Sequence, residues 1–167
     1  MSKPTREEVL SRLHYDPESG AFTWRRTGKP AGFRDRGYIK IGFVIDGRSR
    51  ARKAHRLAWL YVYGEWPKHE IDHINGVRHD NRIANLREAT RSQNRFNVPK
   101  GKTNTSGYKG VFQEGEGGKW IAKLVHKKKQ CWLGRYATPE LAALAYDKAA
   151  ETVFGQFASL NFPEEAA

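Results

Sequence analysis

Three short strings decide the reading of this chain: Ile-Asp-His-Ile-Asn-Gly at residues 71–76, Asn-Arg-Ile-Ala-Asn-Leu-Arg at 81–87, and Ser-Gln-Asn at 92–94. The first sets a carboxylate beside an imidazole at the end of a short apolar run, and Asn75-Gly76 then turns the chain. Neighbouring side chains on a strand point to opposite faces, so Asp72 can bind a cation while His73 takes a proton from water. An imidazole suits that role because its pKa lies near neutrality. His79, Asp80 and Asn81 are nearby alternatives for a ligand, although Asp and Asn more often stabilise a turn through their own backbone contacts.

Upstream, residues 55–63 read as a helix closed by Gly64, with Pro67 soon after. His55 reads as a helix-start residue that packs or touches phosphate. Residues 38–45 alternate, with Ile39, Ile41, Phe43 and Ile45 on one side and Tyr38, Lys40, Gly42 and Val44 on the other. Asp46-Gly47 then signals a hairpin, and the return strand carries Arg48, Arg50 and Arg52 at period two, followed by Lys53 and Arg56. A two-residue loop would set Arg50 and Arg52 opposite Phe43 and Ile41. A three-residue loop, Asp46-Gly47-Arg48, would pair them with Val44 and Gly42 and keep charge apart from the apolar side. The longer, bulged loop is expected, and with it a basic two-stranded ribbon that fits along a nucleic-acid groove. Nearer the start, Thr5-Arg6-Glu7-Glu8 is a capping box opening a helix to about Leu13, and residues 22–24 form a short strand.

Downstream, residues 97–104 have linker composition. Beyond them 108–113, 120–125 and 131–136 read as three short strands. Thr138 and Pro139 open a helix that runs to Phe154 and is closed by Gly155. Leu141, Ala142, Ala145, Ala149 and Val153 line its expected apolar stripe. Trp120, Ala122 and Leu124 are expected to face that helix, and Lys119, Lys123 and Val125 to face outward.

Thirty Lys and Arg against 18 Asp and Glu give this 167-residue chain a net charge of +12. Eleven of the basic residues fall within 25–56, against two acidic ones. An acidic partner is the first expectation; a basic patch also suits an anionic membrane surface, so charge alone does not choose. No apolar stretch approaches the roughly 20 residues of a spanning helix, and the first ten residues lack a secretory core. A soluble, cytoplasmic protein with no membrane partner is expected. Cys131 is the single cysteine, which excludes disulfide frameworks and thiolate zinc fingers and leaves oxygen or imidazole to hold any metal. Five tryptophans argue for a folded chain despite the charge.

The central strings resemble the HNH nuclease motif in its phage and homing-endonuclease branch over about residues 70–98, and the run from His55 to His73 also looks like that branch. Spacing carries the resemblance: His73 to Asn85 is twelve residues and Asn85 to Asn94 is nine. It implies a strand-loop-strand-helix (ββα-metal) core closed on one metal ion. His73 would be the general base, Asp72 the first metal ligand and Asn94, on the helix after Thr90, the second. Asn85 would hold the His73 loop through hydrogen bonds. Asp and Asn oxygens select a hard ion, Mg2+ or Mn2+, rather than Zn2+.

Residues 104–163 carry a second likeness. Tyr-Lys-Gly-Val at 108–111, Gly-Lys-Trp-Ile-Ala at 118–122, Trp-Leu-Gly-Arg-Tyr at 132–136, the Ala-rich run at 142–150 and Leu-Asn-Phe-Pro at 160–163 are similar to the APETALA/ethylene-response-factor DNA-binding domain. That resemblance implies a three-stranded antiparallel sheet laid in the major groove and backed by one helix, with Trp132 facing outward. Plant members read bases with arginines; here Phe112, Glu114 and Val125 stand at arginine positions, so bidentate guanine readout does not carry over. Phosphate anchoring by Lys109, Lys119, Lys123 and Arg135 does. The three lysines at 127–129 fit a phosphate-touching turn and a solubilising hairpin tip equally well.

The expectation is a modular α+β endonuclease: a basic N-terminal hairpin and helix region at 1–68 that grips DNA, the nuclease motif at 69–98, a linker at 99–105 and a DNA-binding domain at 106–163. It would hydrolyse phosphodiester bonds of double-stranded DNA as a monomer or weak dimer, leaving nicks. A non-cleaving DNA-binding regulator that retains an HNH scaffold is the alternative. An RNA-directed enzyme is disfavoured, because the deep groove of A-form RNA resists entry by a sheet.

Overall fold

The computed structural model describes residues 3–45, 47–98, 100–101 and 103–163; Asp46 of the expected hairpin loop and Pro99 and Lys102 of the expected linker lie outside the described residues. The fold is mixed α+β, in two compact units, Met1–Arg91 and Ser92–Ala167.

In the N-terminal unit, α1 (Arg6–Arg12) starts at Thr5, whose hydroxyl accepts from the Glu8 N–H while the Glu8 carboxylate accepts from the Thr5 N–H. Strand β1 (Leu13–Tyr15) follows and pairs antiparallel with β2 (Phe22–Trp24). Strands β3 (Phe33–Asp35), β4 (Tyr38–Ile45) and β5 (Arg48–Lys53) form an antiparallel sheet with β4 in the middle. Helix α2 (Ala54–Tyr63) ends at Gly64, whose φ of 85° is left-handed and open to glycine at no steric cost. Hairpin β6 (Glu70–His73) and β7 (Leu86–Ala89) comes next, then the short helix α3 (Arg91–Asn94), within which the boundary between the units falls. One apolar cluster joins these pieces: Val9, Leu13, Tyr15, Phe22, Ile41, Phe43, Leu57 and Leu60, with Ile71 and Leu86 anchoring the β6–β7 hairpin in it.

The β4–β5 pairing departs from expectation. Val44 lies opposite Ser49, Phe43 opposite Arg50 and Ile41 opposite Arg52. The loop therefore has two residues, and the three arginines share the apolar face. A separate basic face of the ribbon does not form. Two effects favour this outcome. Gly47 has a φ of 69°, the left-handed region that hairpin turns matching strand twist use, and the aliphatic stems of Arg50 and Arg52, on an edge strand, can lie over apolar surface while their guanidinium groups reach water. The other face instead carries Tyr38 and the cross-strand pair Lys40 and Lys53.

In the C-terminal unit β8 (Val111–Gln113), β9 (Trp120–His126) and β10 (Lys129–Tyr136) form an antiparallel sheet in the order β10-β9-β8, covered on one side by α4 (Pro139–Phe154). Thr138 caps α4 by accepting from the Leu141 N–H, with Pro139 in the first turn. The β9–β10 strands run further than expected, leaving Lys127 and Lys128 alone at the tip with φ of 48° and 64°. The buried stripe of α4 is also rotated from the expected one: Ala142, Ala143, Tyr146, Asp147 and Ala150 are buried, while Leu141 and Val153 are exposed. Small residues let the helix approach the sheet so closely that a Cβ on Gly110 would sit 2.1 Å from the Tyr146 ring. A bulge between Trp132 and Gly134 shifts the β10 pairing by one residue.

Candidate active site and nucleic-acid interface

In the N-terminal unit, Ile71, Asp72 and His73 are buried at the end of β6, with Asp72 opposite Arg87 and His73 opposite Leu86. Asp72 Oδ2 accepts from Arg87 Nε at 2.9 Å and Nη2 at 2.7 Å. His73 Nε2 lies 3.3 Å from Asn81 Oδ1. An amide oxygen only accepts, so in this contact the imidazole is the donor. Asn81 is itself buried, and its backbone carbonyl accepts from the Tyr15 hydroxyl at 2.7 Å. Burial pulls the His73 pKa below its ordinary value; the Asn81 contact and the charges of Asp72 and Asp80 oppose that shift.

The intervening loop is closed by amides. Asn85 Oδ1 accepts from the Asn75 N–H at 3.0 Å, and its Nδ2 donates to Asn75 Oδ1 at 3.0 Å and to the Asp80 carbonyl at 2.9 Å. The Asn85 carbonyl takes the Ile74 N–H. Asp80 receives the Asn75 amide and the Arg82 guanidinium, and the Arg82 contact chiefly holds its carboxyl far below the usual carboxylate range. Asp80 is thus a strut of the loop.

A second histidine stands against the first. His55, 4% exposed on α2, meets the His73 ring edge-on with centroids 4.9 Å apart. Its Nδ1 has no hydrogen-bond partner, and burial pushes its pKa down to about 3. Tyr38 packs on both imidazoles, and Lys53 Nζ and the Arg78 guanidinium lie 4.0 and 5.2 Å from its ring centroid. Of the basic residues singled out by sequence, Lys53 is therefore the one gathered beside His73. Arg56 instead donates to the carbonyls of His69 and Pro67 and fastens α2 to the chain entering β6. Arg78, Tyr38 and the His55–His73 contact were not read from sequence, because they depend on how α2 and the β3–β5 sheet pack on the hairpin. Asn94 ends α3.

In the C-terminal unit, the face of the sheet turned away from α4 presents Phe112, Lys123, Val125, Gln130, Trp132 and Arg135. The Lys123 ammonium and Arg135 guanidinium each lie 5.7 Å from the Trp132 ring centroid, and Arg135 is ion-paired with Glu114. Lys119 is exposed. Lys109 is half-buried; its ammonium donates to the Phe96 carbonyl at 2.9 Å, and burial lowers its pKa to about 8.

Residues 52–96 match the HNH endonuclease family model and residues 106–156 the AP2 domain model. The two matches lie on successive, non-overlapping segments of the chain. Over 58 residues it is 45% identical to the ethylene-responsive transcription factor ERF024 of Arabidopsis thaliana, covering 34% of this chain and 32% of that protein. Over 69 residues it is 44% identical to ERF010 of the same plant, covering 40% and 37%. It is 48% identical over 58 residues to dehydration-responsive element-binding protein 2E of Oryza sativa subsp. japonica, covering 34% and 18%. The chain thus spans 18 to 37% of the length of these relatives. A solved structure described as DNA binding and cleavage by the HNH homing endonuclease I-HmuI aligns with a TM-score of 0.45 at 23% identity, over 56% of this chain and 55% of that one. Among the described residues no helix is long and apolar enough to cross a membrane.

Proposed function

We propose that the chain is a metal-dependent DNA endonuclease that hydrolyses phosphodiester bonds of duplex DNA. The observation that supports this most directly is the Asp72–His73 pair at the end of β6, with the imidazole held by Asn81 and the loop behind it closed by Asn85. His73 serves as general base and takes the proton of the attacking water. Asn85 is a positioning residue, and Lys53 and Arg78 set positive charge where a phosphate approaches. Asp72, and Asn94 by its spacing, offer a carboxylate and an amide oxygen, a donor set that fits Mg2+ or Mn2+ better than Zn2+. Among the described residues no trio of His, Cys, Asp or Glu converges, so waters and phosphate oxygens would complete the shell. When bound, the ion neutralises charge on the phosphate and the leaving oxygen. The AP2 domain and the cations of the N-terminal unit grip the duplex. One such site per chain cuts one strand per encounter and leaves a 5′-phosphate and a 3′-hydroxyl.

The test is relaxation of supercoiled plasmid with Mg2+ or Mn2+. Nicking should be lost in His73→Ala and Asp72→Ala while DNA binding is kept; unchanged nicking in both would refute the assignment. A second reading, a DNA-binding regulator that does not cut, has one observation on its side: Arg87 already occupies an Asp72 oxygen. Tight binding by the wild-type chain without cleavage in either metal would decide for it.

A further inference from the structure

The outer face of the C-terminal sheet pairs an apolar centre with a cationic margin. Phe112, Val125 and Trp132 are 51%, 60% and 53% exposed, on three different strands. The pairing of Phe112 with Ile121, Lys123 with Trp132 and Val125 with Gln130 sets them on one face, opposite α4. A soluble domain rarely leaves such a patch without a use. Charge indicates what covers it. Residues 109–136 hold seven Lys and Arg against two acidic residues, whereas residues 137–163, mostly helix, hold one Lys against three. The sheet side therefore attracts a polyanion, and the helix side does not.

A groove-reading sheet needs partners for base edges. Here Arg135 is tied to Glu114 and lies over the Trp132 ring, and Lys123 lies over the same ring. Phe112 and Val125 offer no hydrogen bond. The one apolar feature that a base pair shows in the major groove is the C5-methyl group of thymine. We propose that this face reads thymine methyl groups through Phe112 and Val125, beside Trp132, while the surrounding lysines hold phosphates. The proposal rests on the DNA-binding part of the reading above and adds the chemical feature that is selected.

Replacing thymidine with deoxyuridine deletes that methyl and leaves every hydrogen-bonding group in place. The full chain would be titrated, in EDTA so that no strand is cut, against a hairpin-closed duplex of alternating dA and dT and against its deoxyuridine counterpart. The thymidine duplex should bind about three- to tenfold tighter, the range given by burying one or two methyl groups. Phe112→Ser with Val125→Ser, both at exposed positions, should bring the affinity ratio between the two duplexes to one. Equal affinity of the wild-type chain for the two duplexes overturns the methyl readout and leaves DNA binding standing. A preference that survives in the double variant also overturns it, by assigning the readout elsewhere. Failure to bind either duplex overturns the DNA-binding reading itself.

Discussion

Asp147 should be the side chain on which the C-terminal unit most depends. It is 7% exposed on α4, and its carboxylate accepts from the Asn161 N–H with both oxygens at 2.9 Å, from Asn161 Nδ2 at 3.0 Å and from the Phe162 N–H at 2.9 Å. Asn161 passes the restraint on: its Oδ1 accepts from the Lys109 N–H at 2.6 Å and its Nδ2 donates to the Lys109 carbonyl. One carboxylate thus ties the end of the domain to the entry of its first strand. In Asp147→Ala two backbone donors and one side-chain amide lose their acceptor. Each buried donor left unpaired costs roughly 1–3 kcal/mol, but residues 161 and 162 can peel away and reach water, so the net loss should be on the order of 4 kcal/mol. Asp147→Asn keeps one acceptor oxygen and should cost about half as much. For a unit of this size each kcal/mol lowers the melting temperature by about 4–8 °C. Hydrogen exchange is the sharper assay, because the amides of residues 109, 161 and 162 should lose protection before the rest of the unit. If they stay protected in Asp147→Ala and the melting temperature moves by only about one degree, the reasoning fails.

Three further outcomes are expected. His55 is neutral in the fold with a pKa near 3, against an ordinary 6.5; protons therefore favour the unfolded chain, and stability should fall as pH drops from 6.5 toward 3, by up to an order of 4 kcal/mol. Denaturation curves between neutral pH and pH 4 should show that slope flattened in His55→Phe. Tyr15→Phe removes the donor to the Asn81 carbonyl and should cost about 1–2 kcal/mol in urea unfolding; the nicking rate should fall with it, since Asn81 holds His73. Replacing Lys127 and Lys128 with Asn and Gly, residues that accept positive φ, should stabilise the C-terminal unit by about 1 kcal/mol in thermal unfolding, and a loss of stability would show that the turn is unstrained.

Much of this architecture is written in local signals. Thr5, Gly64, Thr138 and Gly155 mark helix ends that the structure keeps, because caps act over three or four residues. Alternation along β9 correctly separates Ala122 and Leu124 from Lys123 and Val125. The β4–β5 pairing departs from charge segregation because turn geometry sets the register and long arginine stems do not require charge to be kept apart from apolar side chains. The buried stripe of α4 differs from the hydrophobicity pattern for a related reason: Leu141 and Val153 are the more hydrophobic residues, yet close contact with the sheet favours alanines and one tyrosine. At the candidate active site, the string from His73 to Asn85 was legible because its amide contacts close within one loop. The His55 contact, the clamp by Arg56 and the capture of Lys109 by the Phe96 carbonyl were not, since each joins segments whose nearness only packing decides.

The bulge in β10 divides that strand into two reading frames. Before it, even-numbered residues, Gln130 and Trp132, look outward; after it the parity inverts, so Arg135 looks outward while Tyr136 packs inside and its hydroxyl holds the Leu133 carbonyl. Deleting one residue here would do more than shorten a strand: restored alternation would drive a guanidinium under the helix and lift a phenol into solvent. Anyone grafting a new recognition surface onto this sheet must count from Gly134 in each direction separately.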